Sequence, residues 1–157
     1  FDSREATLMP AESAARARVR ALILRCDAKF VKLTYSYLSH KRQDNPVKDD
    51  QLQTQLIEEL SFLDKTIGEA RGTYFLGEKV SLVDLTYLPF FERQIVALSA
   101  WKNFELKDRN LPYLDQWVDS MFGRDSFVKT KSEPEQIKEL YSLFLGKDYF
   151  KKVGVAE

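Results

Sequence analysis

The stretch "KVSLVDLTYLPF", residues 79–90, decides the fold because a polar start leads into an almost wholly apolar helix. Ser81 and Asp84 have the spacing of a capping box, in which each side chain can bond the other residue's backbone N–H. The apolar residues that follow would cover most of a helix surface, so we predict a buried central helix. Pro89 removes one backbone donor inside it and favours a kink. We interpret Ser81 and Asp84 as a structural N-capping box rather than as catalytic residues.

The composition of the 157-residue chain is that of one folded domain. Hydrophobic residues make up 44% and charged residues 31% of the chain. Its 24 basic residues balance 24 acidic ones, so no net charge attracts nucleic acid or an anionic membrane. No apolar run reaches the roughly 18 residues that a membrane span needs. We expect neither a nucleic-acid partner nor a membrane span.

One cysteine and one histidine limit the chemistry available to the chain. Cys26 falls on an apolar helical stripe, where a thiol is buried and unreactive. His40 lies in a polar loop beside Lys41, a poor setting for a base that neighbouring groups must orient. We therefore expect no catalytic residue and no metal site here. A single cysteine also suits an intracellular, reducing compartment.

The rest of the sequence predicts helices and no clear strand. A long helix is expected over residues 12–38, a surface helix with one leucine seam over 50–70, a short helix over 111–122, and a last helix from Ser132, where Glu135 completes a second capping box. The first helix carries a second apolar stripe through Leu24, Val31 and Tyr35, which predicts a covering partner on that side. The predicted fold is all-α, with about five to six helices around the central capped helix.

Several motifs resemble one protein family. "FLGEKVSLVDL" (75–85) resembles the start of the core helix in the helical C-terminal half of cytosolic-type glutathione transferases. "DLTYLPFFER" (84–93) and "SEPEQIKELYSLF" (132–144) resemble the lambda class, and "MFGRDSFVKTK" (121–131) resembles the dehydroascorbate reductases. The chain is thus similar to the cysteine-type classes: lambda, omega and dehydroascorbate reductase.

The resemblance implies a division of the chain. The opening "FDSREATLMP" is similar to the connector that follows the family's thioredoxin-like domain. Residues 1–11 would be this connector from a missing domain, 12–146 the glutathione-transferase C-terminal-like helical bundle, and 147–157 a C-terminal tail.

The resemblance also implies a role. In the family, the catalytic cysteine and most glutathione contacts lie in the thioredoxin-like domain, while the helical half forms one wall of the acceptor-substrate pocket. The implied wall residues are Phe30, Tyr35, Tyr141 and Phe144. Glutathione would be a co-substrate only if the thioredoxin-like domain is present. That domain, or a partner subunit, would cover the Leu24/Val31/Tyr35 stripe.

Three functions stay open at this point. The chain would be the helical half of a glutathione-dependent thiol transferase or dehydroascorbate reductase, not catalytic by itself. Alternatively, it would be a non-catalytic docking or scaffold module in a larger complex. A likeness to the chloride intracellular channel proteins is the third, which the neutral charge and the lack of a spanning segment disfavour. The expected location is the cytoplasm or the stroma of a plastid or other organelle.

Overall fold

The computed structural model describes residues 8–145 and 152–155. The described part is helical, as predicted, and no helix in it is both long and apolar enough to cross a membrane. Its main elements are α1 (Ser13–Arg25), a π-helical segment (Cys26–Val31), α2 (Lys32–Ser39), α3 (Pro46–Glu69), α4 (Leu82–Lys102), a 3₁₀ turn (Leu106–Arg109), α5 (Pro112–Phe122), α6 (Asp125–Val128) and α7 (Pro134–Leu145). Most of the predicted connector (1–7) and of the predicted tail (146–151 and 156–157) lies outside the described residues.

The first long helix is divided by its π-helical segment. Each π-helical hydrogen bond spans one residue more than an α-helical one, so a stripe at spacings of three and four does not continue across it. The predicted exposed stripe is therefore wrong: Leu24 is 70% exposed, but Val31 and Tyr35 are only 7% and 9% exposed. Neighbouring α3 and α4 cover this part of the helix within the chain itself.

Helix α3 starts earlier than the sequence pattern suggested. Asn45 is its N-cap, with the side chain accepting from the Lys48 N–H at 3.0 Å, and Pro46 occupies the first turn. Both residue types are favoured at those positions. The predicted seam is confirmed by the burial of its residues Leu52, Leu56, Leu60, Leu63 and Ile67.

Helix α4 is the central helix, as predicted. It contacts α1, α2 and α7 and runs unbroken through Pro89. Ser81 and Asp84 form its capping box. Its first N–H, that of Leu82, lacks a partner in the helix and donates instead to the Leu8 carbonyl at 2.9 Å. The start of the central helix is thereby completed from outside the helix.

Aromatic side chains fill the core beside α4. Trp117 and Tyr87 are fully buried, and Phe75 lies between them with ring centroids 5.5 and 5.1 Å away, respectively. Edge-on and offset arrangements of this kind add stability beyond the area buried. The aromatic core ties α5 and the turn before α4 to the central helix.

The start of α7 differs from the prediction. Ser132 does not cap it: the helix begins at Pro134, and the Ser132 N–H donates to the Glu92 carboxylate at 2.6 Å. The Gln136 side chain accepts from the Glu133 N–H at 3.1 Å. Proline favours the first helical position, which moves the cap from Ser132 to Glu133.

Candidate functional site

The Asp84 carboxylate lies at the start of α4. It is fully buried and accepts four hydrogen bonds. Its Oδ2 takes the Ser81 N–H and hydroxyl at 2.7 and 2.6 Å, and its Oδ1 takes the Phe75 N–H and the Trp117 indole N–H at 3.1 and 2.8 Å. All these partners belong to the fold, so the carboxylate is fully occupied and acts structurally.

Two tyrosines meet where α2 packs beside α4 and α7. The hydroxyl oxygens of Tyr35 and Tyr141 lie 3.1 Å apart, and their rings stack with centroids 6.2 Å apart. The two residues are 106 positions apart in sequence, so only the fold brings them together. Of the four predicted wall residues, these two form a pair, and both are buried, at 9% and 2% exposed.

Arg93 and Trp101, both on α4, flank this pair. Burial raises the pKa of the Tyr141 hydroxyl and the Tyr35 hydroxyl adds to the rise, while the Arg93 guanidinium opposes both. Tyr141 therefore stays a neutral phenol near neutral pH. Among the described residues, no carboxylate forms an ion pair with Arg93. Arg93 does interact with the Tyr141 hydroxyl, and its guanidinium lies 5.2 Å from the centroid of the Phe90 ring.

A groove of about 840 Å³ opens next to Trp101. The indole ring contacts Tyr141, with centroids 6.2 Å apart, and also lines the groove. His40, Lys41 and Ser142 are among the other lining residues. This volume falls in the range of small-molecule sites, roughly 300–1,000 Å³. Trp101 therefore links the tyrosine pair to a space large enough for a small organic ligand.

The other two predicted wall residues have different positions. Phe30 is 1% exposed and stacks on Phe91 with ring centroids 4.6 Å apart, so it is a core residue in this chain. Phe144 is partly buried at the margin of the core. Arg93 and Trp101 were missed because a single arginine and a single tryptophan on an otherwise apolar helix carry no periodic signal.

Cys26 has the environment of a structural thiol. It is fully buried, and burial raises the pKa of its thiol to about 12, with the Asp27 and Glu59 carboxylates adding to the effect. A thiol at such a pKa is protonated at neutral pH and is a poor nucleophile. Within the described residues there is also no cluster of side chains that could hold a metal ion.

Two buried ion pairs were not predicted from the sequence. Lys102 and Asp49, with side chains 8% and 5% exposed, join the end of α4 to the start of α3 across 2.6 Å. Arg25 donates two hydrogen bonds to the buried Glu59 carboxylate, which joins α1 to α3. The two pairs therefore join α4 and α1, respectively, to α3.

The sequence of residues 25–125 matches the family described as glutathione S-transferase, C-terminal domain. The match covers more than half of the chain and agrees with the all-helical fold and the capped central helix. The chain belongs to this family.

Curated relatives include glutathione S-transferases of two kinds from Arabidopsis thaliana. Glutathione S-transferase DHAR3, chloroplastic, is 32% identical over 82 residues, which is 52% of this chain and 31% of the relative. Glutathione S-transferase L1 is 29% identical over 140 residues, 88% of this chain and 54% of the relative. The chain thus spans about a third to a half of these relatives.

The fold is also that of solved glutathione transferases. The crystal structure of glutathione transferase Omega 3C from Trametes versicolor superimposes with a TM-score of 0.73 at 23% identity, covering 93% of this chain and 59% of that one. At this identity, the likeness shows the fold alone. Family and fold together define a glutathione transferase-like helical domain.

Proposed function

We propose that the chain is the helical half of a glutathione-dependent thiol transferase or dehydroascorbate reductase. In this proposal it supplies one wall of the acceptor-substrate pocket, and a thioredoxin-like domain supplies the catalytic cysteine. The observation that carries the proposal is the Tyr35–Tyr141 pair with Arg93 and Trp101 beside it. The relatives named glutathione S-transferase DHAR3 and glutathione S-transferase L1 support it.

The chemistry of this wall suits a small, oxygen-rich or aromatic acceptor. Trp101 lines the groove and offers an aromatic face, with the ring of Tyr141 packed against it. The Arg93 guanidinium suits a carboxylate or another anionic oxygen. The site would orient the acceptor without itself exchanging electrons.

The electron transfer would take place outside this chain. A thiolate of the thioredoxin-like domain would end in a mixed disulfide with glutathione as the substrate leaves in reduced form. A further glutathione would attack that disulfide, release the thiolate and leave as glutathione disulfide. Glutathione would therefore be a co-substrate. The high pKa of the Cys26 thiol leaves it without a part in this exchange.

The outer face of α1 is the proposed contact surface for that domain. Its exposed apolar residues include Ala17, Ala21 and Leu24, spaced four and three apart. Small side chains allow another helix to approach closely, and Leu24 would anchor the contact. This surface replaces the stripe through Val31 and Tyr35, which the chain already buries. We also propose the division that the family resemblance implies, with a connector over 1–11, a helical bundle over 12–146 and a tail over 147–157.

The same face also supports the alternative of a docking module. Arg18 and Arg20 are exposed beside the apolar residues and form no ion pair with the described residues. They would favour an acidic surface on the partner subunit. The native polypeptide distinguishes the two functions, because only the enzyme requires a thioredoxin-like segment upstream.

We further propose a reducing compartment, either the cytoplasm or a plastid stroma. Thiol–disulfide exchange with glutathione requires such conditions, and three of the curated relatives are named chloroplastic.

The first experiment is intact mass measurement and peptide mapping of the native polypeptide. We expect peptides upstream of Phe1 that contain an active-site cysteine. A native polypeptide starting near Phe1 would overturn the enzyme proposal and favour the docking module.

The second experiment measures glutathione-dependent reduction by the native protein and its variants. Arg93→Gln should raise the acceptor KM about 10–100-fold for an anionic acceptor, and Tyr141→Phe about 3–10-fold, because it removes a hydroxyl that holds the tyrosine pair against Trp101. Tyr113→Phe, at a half-exposed tyrosine outside the pair, is the matched control and should leave KM unchanged. Unchanged KM values in both test variants would refute the wall.

A further inference from the structure

Gln94 is a buried polar side chain in the middle of α4. It is 1% exposed, and neither its amide nitrogen nor its amide oxygen has a hydrogen-bond partner among the described residues. A buried polar group without a partner destabilises a protein, because it loses its hydrogen bonds to water and gains none in return. Leucine or methionine would fit an apolar helix without that loss. The amide therefore needs a hydrogen-bonding partner that the side chains around it do not provide.

The side chain lines a small cavity between α4, α3 and the 3₁₀ turn. The cavity measures about 10 Å³, close to the smallest volume that holds one water molecule. Apart from Gln94 its lining is apolar: Phe30, Leu60, Phe91, Ile95, Leu98, Phe104 and Leu106. Gln94 is thus the polar group that this cavity presents.

The lining restricts what can bind. No charged side chain contributes to it, and an ion transferred to such surroundings would lose its hydration without compensation. The volume excludes any organic molecule. The occupant must be neutral, no larger than water, and able both to donate and to accept a hydrogen bond, because the amide offers an oxygen and an N–H side by side.

We propose that this cavity is a binding site for a single internal water molecule held by Gln94. The water donates to Oε1 and accepts from Nε2 of the amide, which satisfies both groups and fixes the amide orientation. It fills the space between the central helix and the 3₁₀ turn. This inference does not depend on the proposed function of the chain.

The test uses ¹⁷O magnetic relaxation dispersion to compare the number of long-lived water molecules in the native chain and in two variants. Gln94→Met keeps the side-chain length but removes both polar atoms, and Gln116→Met is the control at an exposed glutamine. We expect Gln94→Met to lose one long-lived water relative to the native chain, while Gln116→Met loses none. Equal numbers in all three proteins would overturn the proposal.

A second measurement needs no variant. Nuclear Overhauser contacts from the side-chain amide protons of Gln94 to water should have the sign of a bound, slowly exchanging molecule. Absence of these contacts, or an amide bonded to a protein group, would refute the water site even if Gln94→Met fails to fold.

Discussion

The indole N–H of Trp117 donates to Oδ1 of Asp84 across 2.8 Å, and both side chains are fully buried. This bond joins α5 to the first turn of α4. The same carboxylate also holds the backbone of Phe75 and Ser81. The capping box is therefore also a tertiary junction of three chain segments.

Replacing Asp84 should destabilise the fold strongly. Asp84→Ala leaves the N–H groups of Ser81, Phe75 and Trp117 without their acceptor, at roughly 1–3 kcal/mol for each buried group. We expect the free energy of unfolding, measured by urea titration, to fall by about 3–5 kcal/mol, more than a helix cap alone provides. Asp84→Asn keeps one acceptor oxygen and should lose less.

The matched control for this change is Asp119→Ala. Asp119 lies on the surface, 66% exposed, with a 3.6 Å ion pair to Lys107. Such pairs contribute about 0–1 kcal/mol. Similar losses in Asp84→Ala and Asp119→Ala would contradict the role assigned to the junction.

Removing one partner of the Lys102–Asp49 pair should destabilise the fold more than removing both partners. Asp49→Ala leaves a buried ammonium group without its carboxylate, and we expect a loss of about 3–5 kcal/mol in the free energy of unfolding. Adding Lys102→Met to Asp49→Ala should recover part of that loss. A double-mutant cycle measured by denaturant unfolding gives the coupling.

The exposed Lys65–Glu69 pair serves as the reference cycle. Its side chains are 76% and 59% exposed across 3.8 Å, so the coupling there should stay below about 0.5 kcal/mol. A Lys102–Asp49 coupling no larger than this would show that the buried pair is not a stabilising link.

The Cys26 thiol should make stability depend on alkaline pH. Its folded pKa of about 12 lies above the unfolded value of about 8.5, so above pH 8.5 the unfolded chain releases a proton that the folded chain retains. The stabilisation is complete below pH 8.5 and is lost as pH rises towards 12, by at most about 1.4 kcal/mol per pH unit.

The measurement is the free energy of unfolding at pH 7 and pH 10 for the native chain and Cys26→Ala. The difference between the two proteins should shrink at pH 10, because only the native chain has this thiol. Iodoacetamide should leave Cys26 unmodified in the folded protein and modify it in urea. Fast labelling of the folded protein at pH 8 would be inconsistent with the raised pKa.

The hydroxyls of Tyr35 and Tyr141 should be energetically coupled. Tyr35→Phe and Tyr141→Phe should each reduce the free energy of unfolding by about 1 kcal/mol, and the double variant by less than the sum. Unfolding of the four proteins by urea gives the coupling energy. Strict additivity would show that the 3.1 Å contact is not a hydrogen bond in solution.

The central helix was predictable because two independent signals agreed there. Ser81 and Asp84 had capping spacing, and the residues after them were apolar on nearly every side. The leucine seam of α3 was predictable because its apolar residues recur at helical spacing. Asn45 and Pro46 form a start signal for α3 that the sequence already contained.

Other features depend on contacts that a local pattern does not encode. Nothing near Asp49 indicates that Lys102, 53 positions away, pairs with it. The π-helical segment broke the stripe from Leu24 to Tyr35, because spacing was extrapolated through a change of helix type. Phe30 was predicted in the pocket wall because it is aromatic, but its neighbours place it in the core.

The carbonyl of Leu8 accepts the first N–H of the central helix, 74 residues further along the chain. The two ends of that bond belong to different stretches, one before α1 and one at the start of α4. A mechanical load on the chain ahead of Leu8 would therefore reach the first turn of α4 directly, without first passing along α1. Anything that pulls or twists that leading segment would therefore act directly on the central helix of the domain.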